Sequence, residues 1–244
     1  NVTVGLSSLD ATEGTVSPAS VLFTSGDWST AKIVTVTGQD DDVDDGDITY
    51  TIQTAPASST DANYSGLAVN DVTATSTDDD TAGVTVSPTS GLETSEAGGT
   101  DTFTVVLTSE PTASVTIGLS SNDTGEGTVS PASVVFETTD WSVAQTVTVT
   151  GVDDAVDDGD IAYTVQTAAA VSSDANYSGK DADDVSVTNT DNDTAGVTVT
   201  PTSGLTTDET GGTDTFTVVL ETEPTATVTI GLSSNDTGEG TVSP

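Results

Sequence analysis

DTFTVVLTSEPTASVTIGLSSNDTGEGTVSPASVVFETTDWSVAQTVTVTG, residues 101–151, reads as a succession of short strands. Asp101–Thr108, Ser114–Ser121, Ser133–Glu137 and Ala144–Gly151 alternate apolar and polar residues with period two, the pattern of half-buried strands. Phe103, Val105 and Leu107 fall on one face, and Val147, Val149 and the preceding Val143 share another. Clusters of Gly, Ser, Asp and Pro separate the runs, and no stretch carries a 3.6-residue period. Working outward, Gly83–Ser87, Ile161–Thr167 and Asp184–Asn189 complete a set of seven predicted strands. Short strands at this spacing predict an all-β, immunoglobulin-like Greek-key sandwich. Trp141 and Phe136 are expected to anchor its core, with Tyr163 and Tyr177 packed near one end.

The same text recurs. TVSPAS begins at Thr15 and Thr128, DANYSG at Asp61 and Asp174, and DTAGVTV at Asp80 and Asp193, each pair 113 residues apart. Solenoid units are shorter, roughly 20–45 residues, whereas a β-sandwich of about 100 residues fits the period. The chain therefore divides into a partial unit (1–80), a complete unit (81–193) and a second partial unit (194–244). The first is expected to lack its two leading strands and the last its four trailing ones. Residues 227–244 repeat the part of the unit found at 1–18. With no Met in its 244 residues, the chain reads as a window on a longer array. Each partial unit would be completed by covalent continuation or by strands lent from a neighbouring copy, and the 18-residue duplication favours continuation.

Composition excludes much chemistry. Forty Asp and Glu stand against two Lys and Arg, with no His and no Cys, for a formal charge of -38. Disulfides, thiolate nucleophiles and Cys/His zinc sites cannot form, nor can a Ser-His-Asp triad. Nucleic acid is excluded as a partner, because neutralising phosphates requires Lys and Arg. Highly charged chains of low hydrophobicity are disordered, but 33% of this one is hydrophobic and Val and Thr, both strand formers, abound. No run approaches the roughly 18 apolar residues of a membrane span, and no secretion signal is present.

The acids gather in turns. The expected metal ligands in the complete unit are Glu96, Asp123, Asp153, Asp154, Asp157, Asp158, Asp191 and Asp193. In the first unit they are Asp10, Asp40, Asp41, Asp44, Asp45, Asp78 and Asp80, and in the third Glu209 and Asp236. Glu13, Glu126 and Glu239 stand at the same place in each copy, in TEGTV in the first and GEGTV in the other two, but fall outside this set. In a Greek-key sandwich the loop after the fifth strand, the end of the last strand and the loop before the second meet at one tip. Two like charges 4 Å apart repel by about 1 kcal/mol in water and several times more near a protein. With almost no Lys or Arg to neutralise such a cluster, a hard divalent cation is the remaining remedy, and irregular carboxylate and carbonyl donors suit calcium better than magnesium. Solvated acidic loops would place acids on exposed strand faces as well, yet those faces carry Thr, Ser and Gln.

On these residues the unit resembles the Calx-β domain, a family found in sodium–calcium exchangers and in long arrays in bacterial surface proteins, extracellular fibres and adhesins. The resemblance implies several calcium ions per repeat, held by Glu96, Asp123, Asp153, Asp154, Asp158, Asp191 and Asp193. The family's acidic cluster runs into DExF, where this chain has DDGDIAY. The terminal triplet is DND in one repeat and DDD in the other.

Three functions compete: a structural repeat of an extracellular filament or adhesin stalk, a ligand- or glycan-binding surface module, and a hydrolase built from paired carboxylates. Near-identical repetition favours the first, since a spacer needs length and an enzyme needs one site. The expected partners are the chain's own repeats, head to tail, together with cell-surface or matrix components. Asn63, Asn122, Asn176, Asn192 and Asn235 open glycosylation sequons; chance explains most of them in so Ser/Thr-rich a chain, and Asn192 is expected to face metal instead.

Overall fold

Alternating side chains need two sheets to bury their apolar halves, and the complete unit supplies them. The computed structural model describes residues 1–243 and contains no helix among them. The first unit forms β1 (Val2–Ser8), β2 (Gly14–Ser17), β3 (Ser20–Phe23), β4 (Thr35–Gly38), β5 (Ile48–Thr54), β6 (Ser58–Ser59) and β7 (Val72–Ser76). The complete unit forms β8 (Val84–Ser87), β9 (Leu92–Ser95), β10 (Thr100–Leu107), β11 (Val115–Ser121), β12 (Gly127–Ser130), β13 (Ser133–Phe136), β14 (Gln145–Gly151), β15 (Ile161–Thr167) and β16 (Val185–Thr190). The third contributes β17 (Val197–Thr200) and β18 (Thr217–Leu220).

In the complete unit one sheet has the order β12-β14-β10-β8 and the other β13-β11-β15-β16-β9. Pairing is antiparallel except between β16 and β9, which run parallel. Phe103 lies opposite Val147 in the first sheet, so the large inward residues of β10 and β14 form one layer. Facing them are Ile117, Phe136, Tyr163, Val165, Val185 and Val187, all buried. Burying each such side chain contributes about 1.5–3 kcal/mol.

Seven strands were legible from alternation, and two more exist. β9 and β12 are four residues long and carry one apolar residue each, Leu92 and Val129, so no period shows. Val143 also departs from expectation. It is 61% exposed, because its N–H donates to the Asp140 carbonyl in a turn before β14 begins, which takes it off the Val147/Val149 face. Phe136, Tyr163 and Tyr177 are buried, and Trp141 packs against the core from its edge.

The first unit has a β3-β1-β5-β7 sheet and a separate β2-β4 ribbon. It contains no counterparts of β8, β9 and β10, three strands rather than the two expected. Its inward face is consequently open. Val36 is 38% exposed where its counterpart Val149 is 0%, Val72 is 53% against 0% for Val185, and Tyr64 is 47% against 1% for Tyr177. In the third unit β17 and β18 pair only with each other, and residues 221–243 add no strand.

Candidate metal centre

β9 ends where β16 ends because the two run parallel, and that brings the residues just beyond them together. Glu96 follows β9, and Asp191 and Asp193 follow β16; their carboxylate oxygens lie within 4.8 Å of one another. The Glu96 carboxylate accepts the Asn192 N–H at 3.0 Å. Asp191 accepts the N–H of Asp193 at 2.7 Å and that of Gly159 at 2.7 Å. Gly159 sits at φ +78°, a left-handed conformation that aims its N–H at Asp191 and that a side chain would strain.

A second trio forms a strand away. Glu126, in the turn before β12, meets Asp154 and Asp158 of the loop after β14, again within 4.8 Å. Asn189 joins the two trios. Its buried side-chain amide donates to Glu126 at 3.3 Å and to the Val152 carbonyl at 3.1 Å, while its oxygen accepts the Thr94 hydroxyl at 3.0 Å. The first unit repeats the second trio as Glu13, Asp41 and Asp45, each 113 residues earlier. It has Asp78 and Asp80 at the places of Asp191 and Asp193, but no residue at the place of Glu96.

Charge crowding shows in the acids themselves. The Asn192 N–H acts to lower the pKa of Glu96, but burial and the charges of Asp191 and Asp154 outweigh it and raise it. Burial, with Asp158, Asp123 and Asp154 nearby, raises Glu126 despite the Asn189 hydrogen bond. Glu13 rises by burial and by the charges of Asp45, Asp10 and Asp41. Asp193 likewise rises by burial and by Asp191, Asp153, Asp154 and Asp157. Asp191 is lowered, since backbone N–H groups of Asp193 and Gly159 hold it ionised. The only ion pair among the described residues is Lys32–Asp27, remote from these trios.

The remaining sequence-expected ligands have other places. Asp10, Asp123 and Asp236 accept N–H groups two residues onward, of Thr12, Gly125 and Gly238, closing their own turns. Asp153 accepts the Asn192 side-chain amide at 3.2 Å. Asp40 contributes charge beside Asp80. Glu209 is exposed and belongs to no trio among the described residues. Asp44 and Asp157 reach across to the following unit, accepting the N–H of Ala82 at 2.8 Å and of Ala195 at 2.7 Å. The same loops grip that unit twice over: Glu110 N–H donates to the Asp42 carbonyl and Glu223 N–H to the Ala155 carbonyl, both at 2.6 Å. The Asn176 side-chain amide donates to the Asp44 carbonyl. Glu13 and Glu126 complete trios although neither was an expected ligand. Their signal was the Glu-Gly-Thr-Val stretch that opens at Glu13, Glu126 and Glu239 and recurs in all three copies.

No protein-family model matches the chain, and no curated protein does. Among solved structures, the apo-form Calx CBD1 domain is similar over all of its length and 47% of this chain, at 14% identity and a TM-score of 0.36. CBD12 from CALX1.2 is similar over 68% of its length and 69% of this chain, with 18% identity and a TM-score of 0.35. The S-layer protein SbsC, domains 4 and 5, matches over 75% of its length and 77% of this chain, at 15% identity and a TM-score of 0.33.

Proposed function

We propose that the chain is a structural repeat of an extracellular filament or adhesin stalk, stiffened by calcium bound in the acidic loops at domain tips and junctions, and that it is not an enzyme. One observation carries the reading: the loop after the fifth strand of the sequence reading (β4, β14) does two things at once, in both units. Its inner acids, Asp41 and Asp45 or Asp154 and Asp158, meet Glu13 or Glu126. Its outer acid, Asp44 or Asp157, caps the first residues of the next unit. An ion on the inner acids would set the loop that clamps the neighbour.

The donor set suits calcium. It is all oxygen, irregular, and within reach of backbone carbonyls and water, and calcium takes six to eight such ligands. Glu96, Asp191 and Asp193 would hold one ion, Glu126, Asp154 and Asp158 another, and Glu13, Asp41 and Asp45 a third. The ion supplies the positive charge that the crowded carboxylates lack. A joint of few residues tied at both sides cannot behave as a flexible coil. A glycan platform is less well supported, because Tyr177 is buried in the complete unit and Trp141 leans on its core. No helix of the described residues is long and apolar enough to cross a membrane.

Thermal melting in chelator and in millimolar calcium tests the reading. At an affinity typical of extracellular modules, roughly 10⁻⁴ M, a hundredfold excess of calcium stabilises by about 2.7 kcal/mol per site. Asp154→Ala and Asp193→Ala should each lose part of that gain, and Asp101→Ala should keep it. Superimposable melting curves with and without calcium refute it.

A further inference from the structure

The complete unit receives the chain at one end of its strands and passes it on at the other. The preceding unit holds it at Ala82, before β8, and at Glu110, beyond β10. Its own loop holds the following unit at Ala195, beyond β16. Tension along the chain therefore enters at the start of β8 and leaves at the end of β16. β8 runs antiparallel to β10, and a turn bridged from Ser95 to Gly99 reverses β9 into β10, so β8 and β9 point the same way. β9 in turn runs parallel to β16, the only strand beside it in its sheet. Tension pulls β9 toward its start and β16 toward its end, and the two must slide past each other in opposite directions. Their four register pairs, from Leu92–Val187 to Ser95–Thr190, are then strained together and not one after another. Parting β8 from β10 would free only residues 84–91, whereas parting β9 from β16 opens the whole core.

We propose that the parallel β9–β16 pair is a shear clamp that keeps the complete unit folded under tension, and that an ion held by Glu96, Asp191 and Asp193 pins it. The clamp follows from strand order and direction. The pin rests on the calcium reading above.

The pair is braced beyond its ladder. The Ser186 N–H donates to the Thr89 carbonyl at 2.9 Å at one end, and the Glu96 N–H to the Thr190 carbonyl at 3.1 Å at the other. The Thr190 hydroxyl donates to the Thr94 carbonyl at 3.1 Å, and the Thr94 hydroxyl to the Asn189 side-chain oxygen at 3.0 Å. Leu92 and Val187, both buried, lie side by side, so sliding also exposes apolar surface. Glu96 directly follows β9, and Asp191 and Asp193 follow β16, so a shared ion joins the two strands that must separate. The other trio joins the turn before β12 to the loop after β14, and neither lies between the points where tension enters and leaves. The two trios of the complete unit, alike in their donors, thus differ in mechanical consequence. Forced unfolding reads the rate of crossing the barrier and not the equilibrium, which lets the two be told apart.

Single-molecule pulling in an optical trap tests both parts. The chain has no Cys, so introduced cysteines set the points of attachment. The opening of the clamp is recognised by its gain in length, roughly 300 Å for the residues between β9 and β16. In chelator, the chain pulled by its termini should resist to a force several-fold above that of a Ser90→Cys, Asp183→Cys chain pulled through those two residues. Both lie at the starting end of the pair, where Ser186 bonds Thr89, so this pull peels the ladder one bond at a time. Equal forces in the two geometries overturn the clamp. With calcium at a hundredfold excess over its dissociation constant, the pin is absent about a hundredth of the time, so unfolding of the terminally pulled chain at fixed force should slow about a hundredfold. Asp193→Asn should abolish that slowing and Asp158→Asn should keep it, each removing one charge at constant shape. Equal loss in the two variants, or calcium that raises the melting temperature without slowing rupture, overturns the pin and spares the calcium reading. Calcium that changes neither melting nor rupture refutes the calcium reading and the pin with it, and leaves the clamp to be judged by the pulls in chelator.

Discussion

Gly151→Ala places a methyl group at the point where the two acid trios of the complete unit are tied together. Its Cβ would lie 2.2 Å from the Ser95 carbonyl oxygen and 2.4 Å from the Asn189 side-chain oxygen, where ordinary contacts begin near 3.4 Å. Neither neighbour can give way cheaply. Ser95 is backbone of β9, and Asn189 is buried and bonded on three sides. Overpacking of this kind costs about 1–3 kcal/mol, offset by about 0.4–1 kcal/mol because alanine restricts the unfolded chain. A net loss of about 1.3 kcal/mol should lower the melting temperature of a unit this size by about 5–10 °C. Moving Ser95 displaces Glu96, and moving Asn189 releases Glu126, so calcium affinity should fall with stability, about tenfold for each 1.4 kcal/mol. Gly38→Ala, in the same local sequence, is the control and should stay within about 0.5 kcal/mol of the parent. Trp141 fluorescence in a Trp28→Phe background reports the complete unit alone. If Gly151→Ala and Gly38→Ala melt together and bind calcium alike, the packing argument fails.

Tyr177→Phe removes the donor to the Ser109 carbonyl at 2.6 Å and strands the Ser109 N–H, which costs about 2–3 kcal/mol in urea unfolding, whereas Tyr64→Phe in the open unit should cost almost nothing in the monomer. The pH dependence of stability should change sign with metal. Without calcium, Glu13, Glu96, Glu126 and Asp193 have raised folded-state pKa values, so the folded state binds their protons more tightly, and the stability they lend is lost as pH rises through those values. Acidifying the chelated protein from neutrality toward 4.5, the ordinary Glu value, should therefore raise its melting temperature. Below the ordinary Asp value of 3.8, Asp78 and Asp191, whose pKa values are lowered, take stability away again. With calcium bound, protons compete with the ion and the same acidification should lower the melting temperature; equal signs in the two buffers would contradict the trio geometry. Asp157→Ala removes the cap on Ala195 but no member of a trio, so scattering should report a looser joint between the complete and third units while the melting of the complete unit stays unchanged.

Alternation by itself determined the sandwich. Phe103, Val105 and Leu107, or Tyr163 and Val165, can bury together only on one side of a strand, and a period of two leaves no other geometry. The recurrence of TVSPAS, DANYSG and DTAGVTV at 113 residues likewise suggested where units divide, since similar stretches of chain meet similar local forces. The sequence could also say that the acids crowd into turns, because charge is a property of composition and position. Which acids meet was decided in three dimensions. Glu96 joins Asp191 and Asp193 across nearly a hundred residues because β9 runs parallel to β16, a pairing that one leucine in four residues cannot announce. Glu126 displaced Asp123 from the second trio because Asp123 spends its carboxylate closing its own turn, while Asn189, from a distant strand, holds Glu126 in place. Asp44 and Asp157 look no different from their neighbours in sequence, yet they serve the next unit, since a loop's two sides face different bodies only after both have folded. Gly38 and Gly151 make the same point most simply. Their surroundings in sequence are nearly identical, but one faces open space and the other a carbonyl oxygen, because steric room belongs to the partners a residue acquires and not to the residue itself.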